Sequence, residues 1–174
     1  MTRRVLALVV LAVGAVAIVV GVVQLVSATD DPSPRTGGLR LSDVLDTATP
    51  ASAPFEGLTE LRVGVGGRCL RVAVADSLPE REEGLRKRSD LGPYDGMLFL
   101  FGAPTRIGFT MSTVPVPLEI GFYGRDGARN SARHMKPCPR AEAECPIYDA
   151  QGPFEYALET LKGKLPAGAL AACS

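Results

Sequence analysis

Neither sign of charge is in excess: 19 Lys and Arg stand against 19 Asp and Glu in 174 residues. That balance argues against a nucleic-acid partner, because such binders carry a dense Lys/Arg footprint. Histidine is almost missing. His134 is the only one, so a zinc site of the usual Cys/His kind lacks ligands. No Lys-Ser/Thr pair follows Gly64, Gly66 and Gly67, which excludes a phosphate-binding loop. No nucleophile elbow surrounds any serine. The first cysteine is Cys69, too far along the chain for a lipid-modified N-terminus. Few segments combine high charge with low hydrophobicity, so a disordered chain is excluded as well.

The most prominent feature present is an apolar run from Val5 to Val26, 22 residues without a charge and interrupted only by Gly14, Gly21 and Gln24. A helix needs about 20 such residues to cross a bilayer core. Arg3 and Arg4 precede the run, and Asp30 and Asp31 follow it. The positive-inside rule then keeps the N-terminus in the cytoplasm and exports the rest. Residues 1–28 are therefore expected to be a membrane anchor whose partner, through residues 5–26, is the lipid bilayer. A cleaved signal ending in the small residues Val26, Ser27 and Ala28 is the alternative, with a secreted product. Residues 29–60, with Pro32, Pro34, Pro50 and Pro54, read as a Pro/Gly-rich tether. A short amphipathic helix through Leu41, Val44 and Leu45, capped by Ser42, interrupts it.

Residues 61–174 have the composition of a soluble domain. Leu61, Val63 and Val65 alternate with small or polar residues, Gly66-Gly67 turns the chain, and Leu70, Val72 and Val74 alternate again. This is a hairpin pattern. Ser77-Leu78-Pro79-Glu80 forms a capping box, which predicts a helix over residues 78–88. Further strands are expected over residues 97–101, 107–111, 118–123, 128–135 and 154–160. Short strands at such spacing predict a mainly β domain, a compact antiparallel β-sandwich or barrel-like fold with one short helix.

Four cysteines on an exported chain are an even number in an oxidising compartment. Cys138 and Cys145 are expected to form a local disulfide. Cys69 and Cys173 form a second bridge if the C-terminal segment returns to the first hairpin. No metal site is expected at these cysteines, since the spacing and the lack of further ligands do not suit zinc.

The blocks VAVADSLPEREEGLRKRSDL (Val72–Leu91), GMLFLF (Gly96–Phe101), FTM (Phe109–Met111), PLEIGFYGRDG (Pro117–Gly127), MKPCP (Met135–Pro139), CPIY (Cys145–Tyr148) and YALE (Tyr156–Glu159) occur in an ordered string. In that order they resemble the exported family called domain of unknown function number one hundred ninety-two. The resemblance implies a compact, mostly β domain, often behind a signal or anchor, with no established activity. The family block around Phe109 usually reads Phe-Trp-Met-Lys-Asn-Thr, followed by Pro-Leu-Asp. Here Thr110 replaces the tryptophan, Ser112, Thr113 and Val114 replace Lys-Asn-Thr, and Glu119 replaces the aspartate. Arg86 stands where methionine is common. Any site that those residues share in the family is altered in this chain.

Arg81, Glu119, His134 and Glu159 are the candidate binding residues, an arginine with two carboxylates being able to hold a polar ligand. Met97, Phe99 and Phe101 alternate as a buried face does. A catalytic histidine needs a nucleophile and an orienting acid, and the sequence offers neither beside His134. The expected function is non-catalytic binding of a small ligand or an envelope partner, without a cofactor. The alternatives are an enzyme with Asp76, Glu119 and Glu159 grouped near Arg81, or a structural envelope protein.

Overall fold

A computed structural model describes residues 46–173. The apolar segment, its cleavage point and the helix expected near Leu41 lie outside these residues. Among the described residues no helix is long and apolar enough to cross a membrane.

The first hairpin forms as its alternation predicts. β2 (Thr59–Val65) and β3 (Arg68–Ala75) pair antiparallel. Gly66 and Gly67 take φ of 56° and 82°, the positive values that a two-residue hairpin turn demands and that glycine adopts without a Cβ clash. β3 leads through α1 (Leu78–Glu83) to β4 (Gly96–Thr105). Ser77 Oγ accepts from the Glu80 N–H, and the Glu80 carboxylate accepts from the Ser77 N–H at 2.9 Å. The capping box is thus complete. The helix is shorter than its charged sequence suggests, ending at Gly84, whose φ is 49° and whose N–H donates to Glu80 O at 2.8 Å. This turn breaks the helical path, and Arg86 to Arg88 leave the helix.

The α1 crossover makes β3 and β4 parallel, with Ala73 opposite Met97 and Ala75 opposite Phe99. All other pairs in the sheet are antiparallel. β6 (Leu118–Tyr123), β7 (Arg129–Met135) and β9 (Phe154–Leu161) complete the order β1-β2-β3-β4-β9-β6-β7, with β1 (Thr49–Pro50) at the edge. β10 (Leu170–Ala172) returns to pair with β2. A separate pair joins β5 (Phe109–Thr110) to β8 (Ile147–Tyr148).

The fold is therefore mainly β with little helix, as expected, but built on one main sheet without barrel closure. The Leu170 N–H reaches Gly127 O in the β6–β7 turn at 2.8 Å, yet no strand pairs across that gap. Hydrophobic alternation specifies which residues face a core and leaves strand partners open, so the parallel crossover was invisible in it. The strand expected over residues 107–111 shrinks to Phe109–Thr110. Residues 49–60, read as the end of the tether, belong to the domain. Phe55 is fully buried there, and Arg71 grips the Glu60 carboxylate at 3.0 and 2.6 Å while the Tyr94 hydroxyl donates to it at 2.6 Å. Arg71, and then Tyr94, hold that carboxyl below its usual pKa.

Each face of the sheet has its own core. Leu61, Val63, Val72, Val74, Leu98, Leu100, Tyr156 and Leu158 share the inner face. Ala73, Ala75, Met97, Phe99, Ile120, Phe122 and Ala157 share the outer face, where Phe55, Leu85, Met111 and Val114 cover them. Both cysteine pairs stand at disulfide distance: Cys138 to Cys145 closes a local loop, and Cys69 to Cys173 ties the segment after β10 to the start of β3.

Candidate functional site: a cleft between the helix and the sheet

The cover over the outer face is incomplete. Between α1 with its following turn on one side, and residues 107–114 on the other, a cleft of about 650 Å³ reaches down to the sheet. Small-molecule sites typically occupy about 300–1,000 Å³. Phe99 and Glu159 lie at its base, Phe101 and Phe109 along its walls, and Leu78 and Ile107 at its mouth. Those last two are among the exposed large apolar side chains, at 62% and 49%. The Phe109 ring meets Phe99 edge-on at 5.2 Å and Phe122 at 5.7 Å. The aromatic wall is thereby anchored in the outer core.

The two ends of the cleft are held by arginines. Arg81 donates to the carbonyls of Asp76 and of Leu100, the latter at 2.9 Å, with its guanidinium 5.1 Å above the Phe101 ring. Arg86 donates to Ser112 O at 3.1 Å and Glu82 O at 3.0 Å, and pairs with Glu142 at 2.6 Å. Lys87 and Thr113, the two non-glycine residues with positive φ among the described residues (59° and 61°), both line the cleft. The Lys87 N–H donates to Thr113 O at 2.9 Å, and the Thr113 N–H to Cys138 O at 2.9 Å. Side-chain-bearing residues in left-handed backbone cost free energy and collect at functional sites. The Cys138–Cys145 loop therefore props this wall and supplies Glu142 to it.

Three acids are buried in the domain: Glu119, Glu155 and Glu159. Glu155 is met by Arg125 Nε at 3.0 and 3.2 Å. Glu119 pairs with His134 Nδ1 at 2.9 Å and accepts from the Leu165 N–H at 3.2 Å. Glu159 is 5% exposed and has neither a hydrogen bond nor an ion pair among the described residues. Burial pushes its carboxyl up to about 8, so the acid is mostly protonated at neutral pH.

The four expected binding residues divide into two pairs. Glu159 lies opposite Met97 and Ile120 on the outer face, whereas Glu119 lies opposite His134 and Thr160 on the inner one. Side chains of successive strand residues point to opposite faces, so Arg81 and Glu159 share the cleft and Glu119 and His134 stand outside it. Arg81 binds carbonyls and an aromatic ring and forms no ion pair among the described residues, although its charge is felt at the Asp76 carboxyl. Of the acids grouped with Arg81 in the enzyme alternative, Asp76 feels its charge and Glu159 shares its cleft, while Glu119 lies on the other face. Phe101, Phe109, Lys87 and Glu142 are cleft residues that sequence reasoning missed as a set. One signal was available: Arg86, Thr110, Thr113 and Val114, where the chain departs from the family pattern, all line the cleft. No group of His, Cys, Asp or Glu side chains suited to a metal ion occurs among the described residues.

The profile of one family, DUF192 (Uncharacterized ACR), matches residues 61–171. The chain belongs to that family. It is similar to a protein of unknown function from Novosphingobium aromaticivorans DSM 12444, with 28% identity over 71% of this chain and 93% of that one and a TM-score of 0.58. It is also similar to a proposed transcription regulator from Sinorhizobium meliloti 1021, with 27% identity over 64% and 90% of the two chains and a TM-score of 0.54. No curated protein matches.

Proposed function

We propose that this DUF192 chain is a ligand-binding domain of the cell envelope, tethered through residues 5–26 and taking a small molecule into the cleft beneath α1. The observation that carries the reading is Glu159. The Glu159 carboxyl lies at the base of the cleft with no protein partner among the described residues, whereas Glu155, four residues away on the same face, has the arginine that Glu159 lacks. A bound molecule would supply the missing partner. Strained backbone at Lys87 and Thr113 in the same wall supports this placement.

The envelope location rests on the apolar run and its flanking charges. A transcription regulator, the name the Sinorhizobium neighbour carries, has less support if it acts by binding nucleic acid, because the charge is balanced and α1 has only six residues. A second reading, an enzyme using Glu159 as general acid or base, draws on the raised pKa.

Thr110→Trp tests the binding reading. Thr110 lines the cleft, and an indole there adds bulk to the wall formed by residues 107–114. Ligands from a fragment screen that perturb the amide resonances of residues 81–87 and 107–114 should lose at least tenfold in affinity in this variant. Unchanged affinities, or no such ligand, would falsify the proposal. Turnover that disappears in Glu159→Gln would favour the enzyme.

A further inference from the structure

The polar groups of the cleft define what it can accept. Both guanidiniums are committed: Arg81 to two carbonyls and the Phe101 face, and Arg86 to two carbonyls and Glu142. They are poorly placed to receive an anion, which would have to displace internal partners. Glu83 pairs with Arg88 at 3.5 Å at the outside. The one committed-to-nothing polar group at the base is the Glu159 carboxyl, and its natural complement is a donor, most strongly a cationic one.

The surroundings favour a cation on an apolar body. Phe101 already holds a cation over its face, that of Arg81 at 5.1 Å, so the rings here accept positive charge. Leu78 and Ile107 present apolar surface at the mouth, where a hydrocarbon body would be covered. Resting on the reading of this cleft as a ligand site, we infer that it binds an organic ammonium ion, with the ammonium group on the Glu159 carboxylate and its apolar body between Phe101, Phe109 and the mouth.

None of the charged groups facing Glu159 pairs with it: Arg81 and Arg86 are held by internal partners, and the Lys87 ammonium, which has no hydrogen bond or ion pair among the described residues, lines the cleft without reaching the carboxyl. β4 and β6 place Met97, Phe99 and Ile120 beside it. The α1 side contributes Arg81, Glu82, Glu83, Arg86 and Lys87, and the turn before β8 contributes Glu142. The rise in the Glu159 pKa comes from desolvation alone. An arriving ammonium ion therefore releases a proton: the Glu159 O–H bond breaks, the proton passes to buffer, and the carboxylate keeps the electron pair and holds the cation.

The test is titration calorimetry on the full chain in detergent, with 2-phenylethylamine, 1-naphthylmethylamine and hexylamine, each against the alcohol of the same skeleton. Thr110→Trp serves as the blank for partition into detergent. At least one amine should bind tenfold or more tightly than its alcohol and release close to one proton at pH 7, read from the dependence of the heat on buffer. Its affinity should rise about fifty-fold from pH 6 to pH 8, as linkage to a carboxyl titrating at about 8 requires. Glu159→Gln should abolish that preference and the pH dependence; an amine that keeps both in this variant overturns the ammonium inference. Alcohols binding as well as amines, with the Thr110→Trp blank silent, overturn the ammonium inference and leave the cleft reading standing. If none of the six compounds binds, the ammonium inference falls, and the fragment screen judges the cleft separately.

Discussion

The two faces of the sheet cover apolar strands in different ways. On the inner face Val, Leu and Tyr side chains from β2, β3, β4, β6, β9 and β10 close on one another as the sheet curls, with Leu158 and Val72 fully buried. On the outer face the cover comes from α1, irregular segments and a disulfide loop, and it leaves a gap above an unpaired acid. A face closed by its own strands needs little beyond apolar side chains. A face closed by loops gains room for a site and depends on cross-links and caps to hold its walls.

The two disulfides separate these roles, and breaking them gives the largest expected effects. Cys69 and Cys173 are 104 residues apart and hold the end of the chain next to β2, on the edge where β10 closes the inner core. Chain-entropy arguments assign a bridge of that span about 4–5 kcal/mol, against about 2 kcal/mol for a seven-residue separation such as Cys138 to Cys145. In urea titrations, Cys69→Ser with Cys173→Ser should lose the larger amount and leave the chemistry of the cleft unchanged in whatever remains folded. Cys138→Ser with Cys145→Ser should lose the smaller amount but weaken cleft binding, because Cys138 O holds the Thr113 N–H. Equal losses, or a cleft indifferent to the second pair, would erase the distinction between the faces.

Glu159 comes next. Its carboxyl titrates in the unfolded chain near the ordinary value of 4.5 and in the folded chain at about 8. The folded state therefore binds the extra proton between those values, and stability falls as pH rises through that window. The fall amounts to a few kcal/mol by pH 9, as an order of magnitude. Glu159→Gln resembles the protonated acid, so its stability should match the parent near pH 5 and exceed it by the same few kcal/mol at pH 9. Parallel denaturation midpoints for the two proteins from pH 5 to pH 9 would show that the carboxyl is not desolvated.

These contrasts also explain how much was legible. The hairpin through Gly66-Gly67 and the capping box at Ser77 depend on local chemistry, and both appear where the sequence places them. Pairing of β3 with β4, and the return of β10 to β2, depend on partners far along the chain that alternation does not specify. The strand Phe154–Leu161 illustrates the limit most sharply. Glu155, Ala157 and Glu159 alternate with Tyr156 and Leu158 as the solvent side of a half-exposed strand does, yet β9 lies mid-sheet with both faces covered. Period-two spacing places both acids on one face but does not reveal that a second core covers it, nor that one acid has an arginine and the other has none.

The smallest expected effect belongs to the sequence candidates outside the cleft. His134 is 78% exposed at its pairing with Glu119, and exposed ion pairs contribute about 0–1 kcal/mol. Glu119 also keeps the Leu165 N–H when the imidazole is gone. His134→Ala should therefore change stability by less than about 1 kcal/mol and leave every binding measurement in the cleft unaltered. The imidazole lies on the inner face across the sheet from Glu159, and no described hydrogen bond links the two. A tenfold change in cleft affinity on removing His134 would mean that the faces communicate through β6 and β9, and the division between a closing face and a binding face would have to be given up.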